Sequence, residues 1–273
     1  MIITDVHDPT DVSLEPYRTL RRPLEHQERG IFVAEGEKVV RRLLESGLPV
    51  LSVLLTPEWL ETHRVLLQEN NSPIEVFVAP KKLVESIVGF NLHQGIMAVA
   101  RIPEPATLEE LLARSPSPHV FVATDGLTNA ENLGVLVRNC AAFGVQGLLV
   151  GETSSSPYLR RAVRNSMGAV FTMPVVPLND LAETLRRLRS THGIRSIAAH
   201  PHAADGSLYK ADLRQSCCIV FGSEGEGISS RVLEACDDAV AIPMHHGVDS
   251  LNVASASAVF LAEVQRQRQR EMR

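Results

Sequence analysis

Three short segments in the second half of the chain carry polar residues where an α/β protein does its chemistry. In order they are Asn132-Leu133-Gly134-Val135-Leu136-Val137-Arg138, Phe221-Gly222-Ser223-Glu224-Gly225-Glu226-Gly227, and Ile242-Pro243-Met244 running on to Ser250-Leu251-Asn252-Val253. Each stands at the end of an apolar, strand-like run or at the start of a helix. The middle segment is the most constrained. Its three glycines let the backbone turn sharply and offer peptide groups to a ligand. Gly222 and Gly227 have the outer spacing of a phosphate loop, yet Ile228 occupies the lysine position and Glu224 and Glu226 would repel a triphosphate. Such a loop suits a ligand that is cationic or rich in hydroxyls; a purely structural turn is the plainer alternative.

The first segment begins a helix on which Leu133, Leu136, Val137, Cys140 and Ala141 share a face. At about 100° per residue Arg138 lies roughly 140° from Leu133 and projects off that stripe. Asn132 falls at the helix start, an ordinary cap position, and Arg138 on this plain reading is a surface charge. A guanidinium there is also suited to a bidentate grip on a phosphate, though not to acting as a base, because it stays protonated. Further on, Arg160-Arg161-Ala162-Val163-Arg164 is either a helix with solvated arginines or a contact for phosphates. The pairs His245-His246 and His200-Pro201-His202 lack an accompanying ligand set at zinc-site spacing, so no metal is expected.

These residues must be positioned by a scaffold. Strand-like runs at Val120–Thr124, Gly147–Val150, Phe171–Val176, Ile197–Ala199, Cys218–Phe221 and Ala239–Pro243 alternate with helical stretches, which predicts a parallel sheet covered by helices. A last helix runs from Ser250 to about Gln267, with Ser250, Ala254, Ala258 and Ala262 four apart. Pro103-Glu104-Pro105 and Ser115-Pro116-Ser117-Pro118 bracket a short helix opened by a Thr107/Glu110 capping box. The expected division is therefore 1–103, a linker 104–118, and 119–273. The first part reads as a small α/β unit, with a helix over Glu37–Ser46, strands at Val50–Leu55, Ile74–Val78 and Gly95–Ala100, and a helix opened by Thr56-Pro57. Across the 273 residues, 44% are apolar and 22% charged, as in ordinary globular proteins. No run is apolar enough to span a bilayer, no signal peptide is evident, and the four cysteines lack paired spacing; reduced thiols in a cytoplasmic protein are expected. The net charge of −5 does not mark a nucleic-acid binder, but Arg18, Arg21, Arg22, Arg29, Lys38, Arg41 and Arg42 crowd the start.

Taken together, the three segments resemble the motifs of the SpoU (TrmH-like) branch of the SPOUT RNA 2′-O-methyltransferases. Arg164-Asn165-Ser166-Met167-Gly168-Ala169 fits a further pattern of that family. Gly30-Ile31-Phe32-Val33-Ala34-Glu35-Gly36 and His93-Gln94-Gly95-Ile96 resemble the RNA-binding domain that precedes many of its catalytic domains and is similar to a ribosomal protein fold. The resemblance implies an α/β trefoil knot, a homodimer with its sites near the subunit interface, and S-adenosylmethionine as cofactor. It assigns active-site roles to Asn132, Arg138, Ser250 and Asn252. Gly222, Glu224, Gly227, Ile242, Met244 and Leu251 would hold the cofactor; Ile242 and Leu251 would otherwise read as core. Arg29, Lys38 and Arg164 would contact RNA, ribosomal RNA ahead of tRNA. Two departures stand out: Ala130-Glu131 replaces a Pro-Gly often found there, and His245-His246 replaces a small residue. The rivals are a non-catalytic RNA-binding or ribosome-assembly protein on the same fold, and a nucleotide-binding α/β enzyme.

Overall fold

The computed structural model describes residues 1–70, 73–92, 94–203, 206–245 and 247–269. The chain forms two compact units. One is Met1–Glu104 with Pro157–Thr172, the other Pro105–Ser156 with Met173–Arg273. Among the described residues, no helix is long and apolar enough to cross a membrane.

The first unit is built on strands β1 (Ile2–Asp5), β2 (Ile31–Glu35), β3 (Val50–Leu55), β4 (Glu75–Val78) and β5 (Ile96–Arg101), in the order β1-β4-β3-β5-β2. The first three of that order are mutually parallel, and β5 runs antiparallel to both neighbours. The helix Glu37–Glu45 buries Val39, Val40, Leu43 and Leu44, the stripe expected from its periodicity. Pro57 opens the helix Pro57–Glu69 with Thr56 at its cap position.

The segment Pro157–Thr172 belongs to this first unit although 119–273 was expected to fold together. A buried carboxylate explains it. Glu35, at the end of β2, is 5% exposed and accepts hydrogen bonds from Arg160 Nη1 and, at 2.6 Å, from Arg164 Nη1 on the helix Arg160–Asn165. The Arg160 guanidinium also lies 5.2 Å from the Phe90 ring centroid. Phe32 of β2 packs its ring against Tyr158 and Phe171, with centroids 5.5 and 5.7 Å apart. The same packing shortens the strand expected at Phe171–Val176. Ala169–Phe171 is a turn of 3-10 helix, and Pro174, which has no N–H to donate, precedes a strand of only Val175–Pro177.

The second unit holds β6 (Val120–Thr124), β7 (Gly147–Val150), β8 (Val175–Pro177), β9 (Arg195–Ala199), β10 (Cys217–Phe221) and β11 (Asp238–Val240) in one parallel sheet, order β11-β9-β10-β6-β7-β8. The chain steps outward through β7 and β8, returns to β9 on the far side, and inserts β10 between β9 and β6. Strand order thus reverses between β6 and β10, the kind of point where open α/β sheets bind ligands. The capping box holds: Thr107 Oγ1 accepts from Glu110 N at 3.2 Å and the Glu110 carboxylate accepts from Thr107 N at 2.9 Å, opening the helix Leu108–Arg114. The last helix spans Val253–Gln269 rather than starting at Ser250. Ala254 is buried and Ala262 exposed, so the stripe of small residues does not lie wholly against the core.

Glu35→Gln should destabilise the protein by about 1–3 kcal/mol in urea unfolding. Removing one partner of a buried charge pair costs up to about 3–5 kcal/mol, and here Arg164 is half in water. A fragment beginning at His119 should lose the surface that covers Tyr158, Val163 and Phe171. It is expected to aggregate or melt broadly where the full chain melts sharply, which size-exclusion chromatography and circular dichroism would reveal.

Candidate active site

A cleft of about 430 Å³ opens beyond the carboxyl ends of β9, β10 and β11. Its walls are Ala199 to His202, the loop Gly222–Gly227, Ile242, Met244 and the stretch Asp249–Val253, with Phe260 and Ala256 from the last helix. Strands β9 and β10 are almost wholly buried, and the loops they feed are where the chain first reaches solvent.

The Gly222–Gly227 loop is closed by its own backbone. Ser223 N donates to Gly227 O at 2.9 Å, Gly227 N donates back to Ser223 O at 3.1 Å, and Glu226 N donates to Ser223 Oγ at 3.1 Å. The two limbs approach so closely at Gly222 that a Cβ there would lie 2.1 Å from the Gly227 carbonyl carbon. Gly227 itself has φ +72°, a region that favours glycine. Asp125, just after β6, supports the loop from below. Its backbone N–H donates to Phe221 O at 2.9 Å, and its carboxylate accepts from Ser229 N at 2.7 Å and Thr153 Oγ1 at 3.2 Å. This buried carboxylate was missed from sequence; the Thr-Asp-Gly at the end of an apolar strand was the available signal.

The three segments meet through side chains. Asn132 Nδ2 donates to Glu224 Oε1 at 2.6 Å, and Asn252 Nδ2 donates to Asn132 Oδ1 at 3.1 Å. Asn252 Oδ1 in turn accepts from Ala254 N at 2.9 Å, the first turn of the last helix. Asn132 is therefore not the helix cap. Asn129 takes that role, its side chain accepting from Glu131 N and Asn132 N at 2.9 and 3.2 Å, and the helix runs over Ala130–Ala142. Asn139, also unremarked in sequence, donates to Ala254 O and Ser257 Oγ at 2.8 and 2.9 Å and ties this helix to the last one.

Of the residues expected to hold a cofactor, Gly222, Glu224, Gly227, Ile242, Met244 and Leu251 all line the cleft, as do Ser250 and Asn252. Ile242 is only half-buried and Leu251 is 38% exposed, so neither is a core residue. Arg138 projects from the helix face opposite the apolar stripe and is exposed, but it does not line this cleft. Among the described residues no side-chain partner engages it. Arg29, Lys38 and Arg164 lie in the first unit. Arg29 pairs with Glu15 at 2.8 Å, Arg164 pairs with Glu35, and Lys38 is exposed. His93 and His246 lie outside the described residues. His200 Nδ1 accepts from His202 N at 3.1 Å. Burial pushes the Cys236 thiol up to about 12 and raises those of Cys140, Cys217 and Cys218, which leaves none of them a ready nucleophile.

The model of the SpoU rRNA Methylase family matches residues 119–262. A 23S rRNA (guanosine-2′-O-)-methyltransferase RlmB of Vibrio vulnificus is 37% identical over 246 residues, covering 89% of this chain and 95% of its own. An uncharacterized tRNA/rRNA methyltransferase of Mycobacterium bovis is 32% identical over 269 residues, covering 96% of this chain and 91% of its own. In fold, the chain is similar to the SpoU methyltransferase AviRb from Streptomyces viridochromogenes, solved in complex with the cofactor AdoMet, with a TM-score of 0.83 at 24% identity over 95% of this chain and 100% of that one. The matched stretch takes in every strand of the second unit and all three segments that meet at Asn132, and the chain belongs to the SpoU rRNA Methylase family.

Proposed function

We propose that this chain is an S-adenosylmethionine-dependent methyltransferase acting on a ribose 2′-hydroxyl of RNA, ribosomal RNA ahead of tRNA. One observation carries the reading: in a member of this family, Asn132 is joined by hydrogen bonds to Glu224 and Asn252, both of which line a cleft beyond the strand ends. The cleft fits the cofactor. Its volume falls within the roughly 300–1,000 Å³ of small-molecule sites. Ile242, Leu251, Val253 and Phe260 offer an apolar wall for a flat heterocycle, and Glu224, Glu226 and Asp249 offset positive charge. Bound there, S-adenosylmethionine supplies a methyl group activated by a sulfonium.

The protein's own residues do the rest. The self-closed Gly222–Gly227 loop presents peptide groups in fixed directions. Asn132, Ser250 and Asn252 orient the acceptor ribose, and Arg138 grips its phosphate through the planar guanidinium. Holding donor and acceptor in register supplies much of the rate. Since Arg138 lies outside the cleft of its own chain, it serves the cleft of a second copy in a homodimer. The exposed apolar side chains of Tyr209, Val248 and Leu251 support such a contact. The second unit carries the trefoil knot implied by the resemblance. In support, the stretch around Gly206 runs so close to β11 that a Cβ there would lie 2.0 Å from Ala239 O. The first unit, with Arg29, Lys38 and Arg164, selects the RNA.

Comparing ribose-methylation maps of RNA from cells with and without the gene tests the reading directly. Loss of one or a few 2′-O-methyl marks is expected; cofactor binding with no methyl transfer to any RNA would favour the non-catalytic alternative. Gly222→Ala should open the loop and weaken S-adenosylhomocysteine binding at least about 100-fold, or roughly 2.7 kcal/mol, by calorimetry. Arg138→Ala should cost about 3–4 kcal/mol of transition-state stabilisation with cofactor affinity nearly unchanged. Arg138→Lys should restore little, because an ammonium keeps the charge but loses the fork; single-turnover rates would measure both.

A further inference from the structure

Methyl transfer changes the charge of what the cleft holds. The incoming S-adenosylmethionine carries a sulfonium, and the outgoing S-adenosylhomocysteine has a neutral sulfur in its place. A cleft that serves both must favour the first without trapping the second. Among the described residues lining it there is no lysine or arginine. Its acids are Glu224 and Glu226 on the loop after β10 and Asp249 before the last helix, all three exposed. The other titratable side chains lining it are His200 and His202, in the turn after β9, and the methyl transfer as proposed uses neither.

The fold holds that turn in place. His200 N donates to Val240 O at 3.0 Å and so extends the pairing of β9 with β11 by one residue. Ala203 N donates to His200 O at 3.3 Å, and His202 N donates to His200 Nδ1 at 3.1 Å. Backbone and ring of His200 are thus both bonded, and the residue is half-buried in the cleft wall. The His202 ring, exposed, packs edge-on against it with centroids 5.9 Å apart. Imidazole is the side chain whose ordinary change of charge falls between pH 5 and 8. A positive charge on this wall repels a sulfonium in the same cleft and has no such effect on a neutral sulfur.

We propose that His200 and His202 make the cleft choose between cofactor and product by taking up a proton. The assignment rests on the reading above that this cleft binds S-adenosylmethionine. With both rings neutral, the three carboxylates favour the sulfonium. With a ring protonated that preference weakens, and the product complex gains over the cofactor complex. The sign follows from charge: as pH falls through the imidazole range, the ratio of product Kd to cofactor Kd falls. Adenosine, ammonium and carboxylate are common to both ligands and cancel from that ratio. Arg138 of a second copy stays protonated throughout and adds no pH dependence.

Calorimetry with both ligands on the full-length protein, without RNA, at pH 7.0 and pH 5.5 tests this. The wild-type ratio should fall about fivefold, or roughly 1 kcal/mol. In the double variant His200→Gln/His202→Gln it should change less than about twofold, which separates the imidazoles from anything the carboxylates contribute. A second measurement needs only wild type and the single variants that assign its ring signals. The His200 and His202 ring resonances should titrate at lower pH with S-adenosylmethionine bound than with S-adenosylhomocysteine bound. A wild-type ratio that changes less than about twofold overturns the proposal. So does an equal fall in the double variant, or ring resonances that titrate alike in the two complexes. If neither ligand binds the wild type at either pH, the cofactor reading itself falls, and this assignment with it.

Discussion

A single chain of hydrogen bonds holds the cleft together. It begins at the N-terminal turn of the last helix, passes through Asn252 and Asn132, and ends on the carboxylate of Glu224. Its members come from the loop after β10, the first turn of the Ala130–Ala142 helix and the entry to the last helix. Asn132, Glu224 and Asn252 are far apart in sequence, so the bond network exists only if the sheet, both helices and the loop adopt one mutual arrangement. Asn139 reinforces that arrangement two turns further along, by bonding to Ala254 and Ser257. Side-chain amides suit this role because each can donate and accept at once and so pass orientation from one element to the next.

The loop that presents Glu224 is constrained in a different way. Its geometry comes from backbone against backbone, with reciprocal Ser223–Gly227 bonds and no room for a Cβ at Gly222. Buried Asp125 anchors its base by accepting from Ser229 N and Thr153 Oγ1. A ligand held by peptide groups of such a loop meets donors and acceptors that are already in place, so little ordering entropy remains to be lost on binding.

In the first unit a buried charge decides which part of the chain packs where. Burying the Glu35 side chain at the end of a strand is costly without hydrogen-bond partners, and Arg160 and Arg164 supply them. The Phe32 ring, stacked on Phe171 and tilted against Tyr158, completes the join. A segment that lies in the middle of the family match is thereby drawn into the unit formed by the start of the chain. Arg164 thus pairs with Glu35 while its side chain stays largely in solvent, and Lys38 is exposed.

Much of this was legible in the sequence. Alternation of apolar runs and helical stripes predicted the parallel sheet, and β3, β6 and β7 have the expected ends because each is a run of β-branched and aliphatic residues bounded by turn formers. The capping box before Leu108 was equally plain, since its partners are three residues apart. The site residues were recognisable as three motifs, and six expected cofactor residues do line one cleft. Local chemistry could not tell Asn129 from Asn132 as the helix cap, because either can serve; Glu224, 92 residues away, draws Asn132 aside. Nor could it show that Phe171 would leave the strand pattern for a ring stack on Phe32, that Asp125 would be buried under the loop, or that Arg138 would stand outside its own chain's cleft. Short-range propensity and periodicity determine elements, and they do so from neighbours along the chain. Which side chains meet across those elements depends on strand order and on buried charges finding partners, and only the tertiary structure decides that.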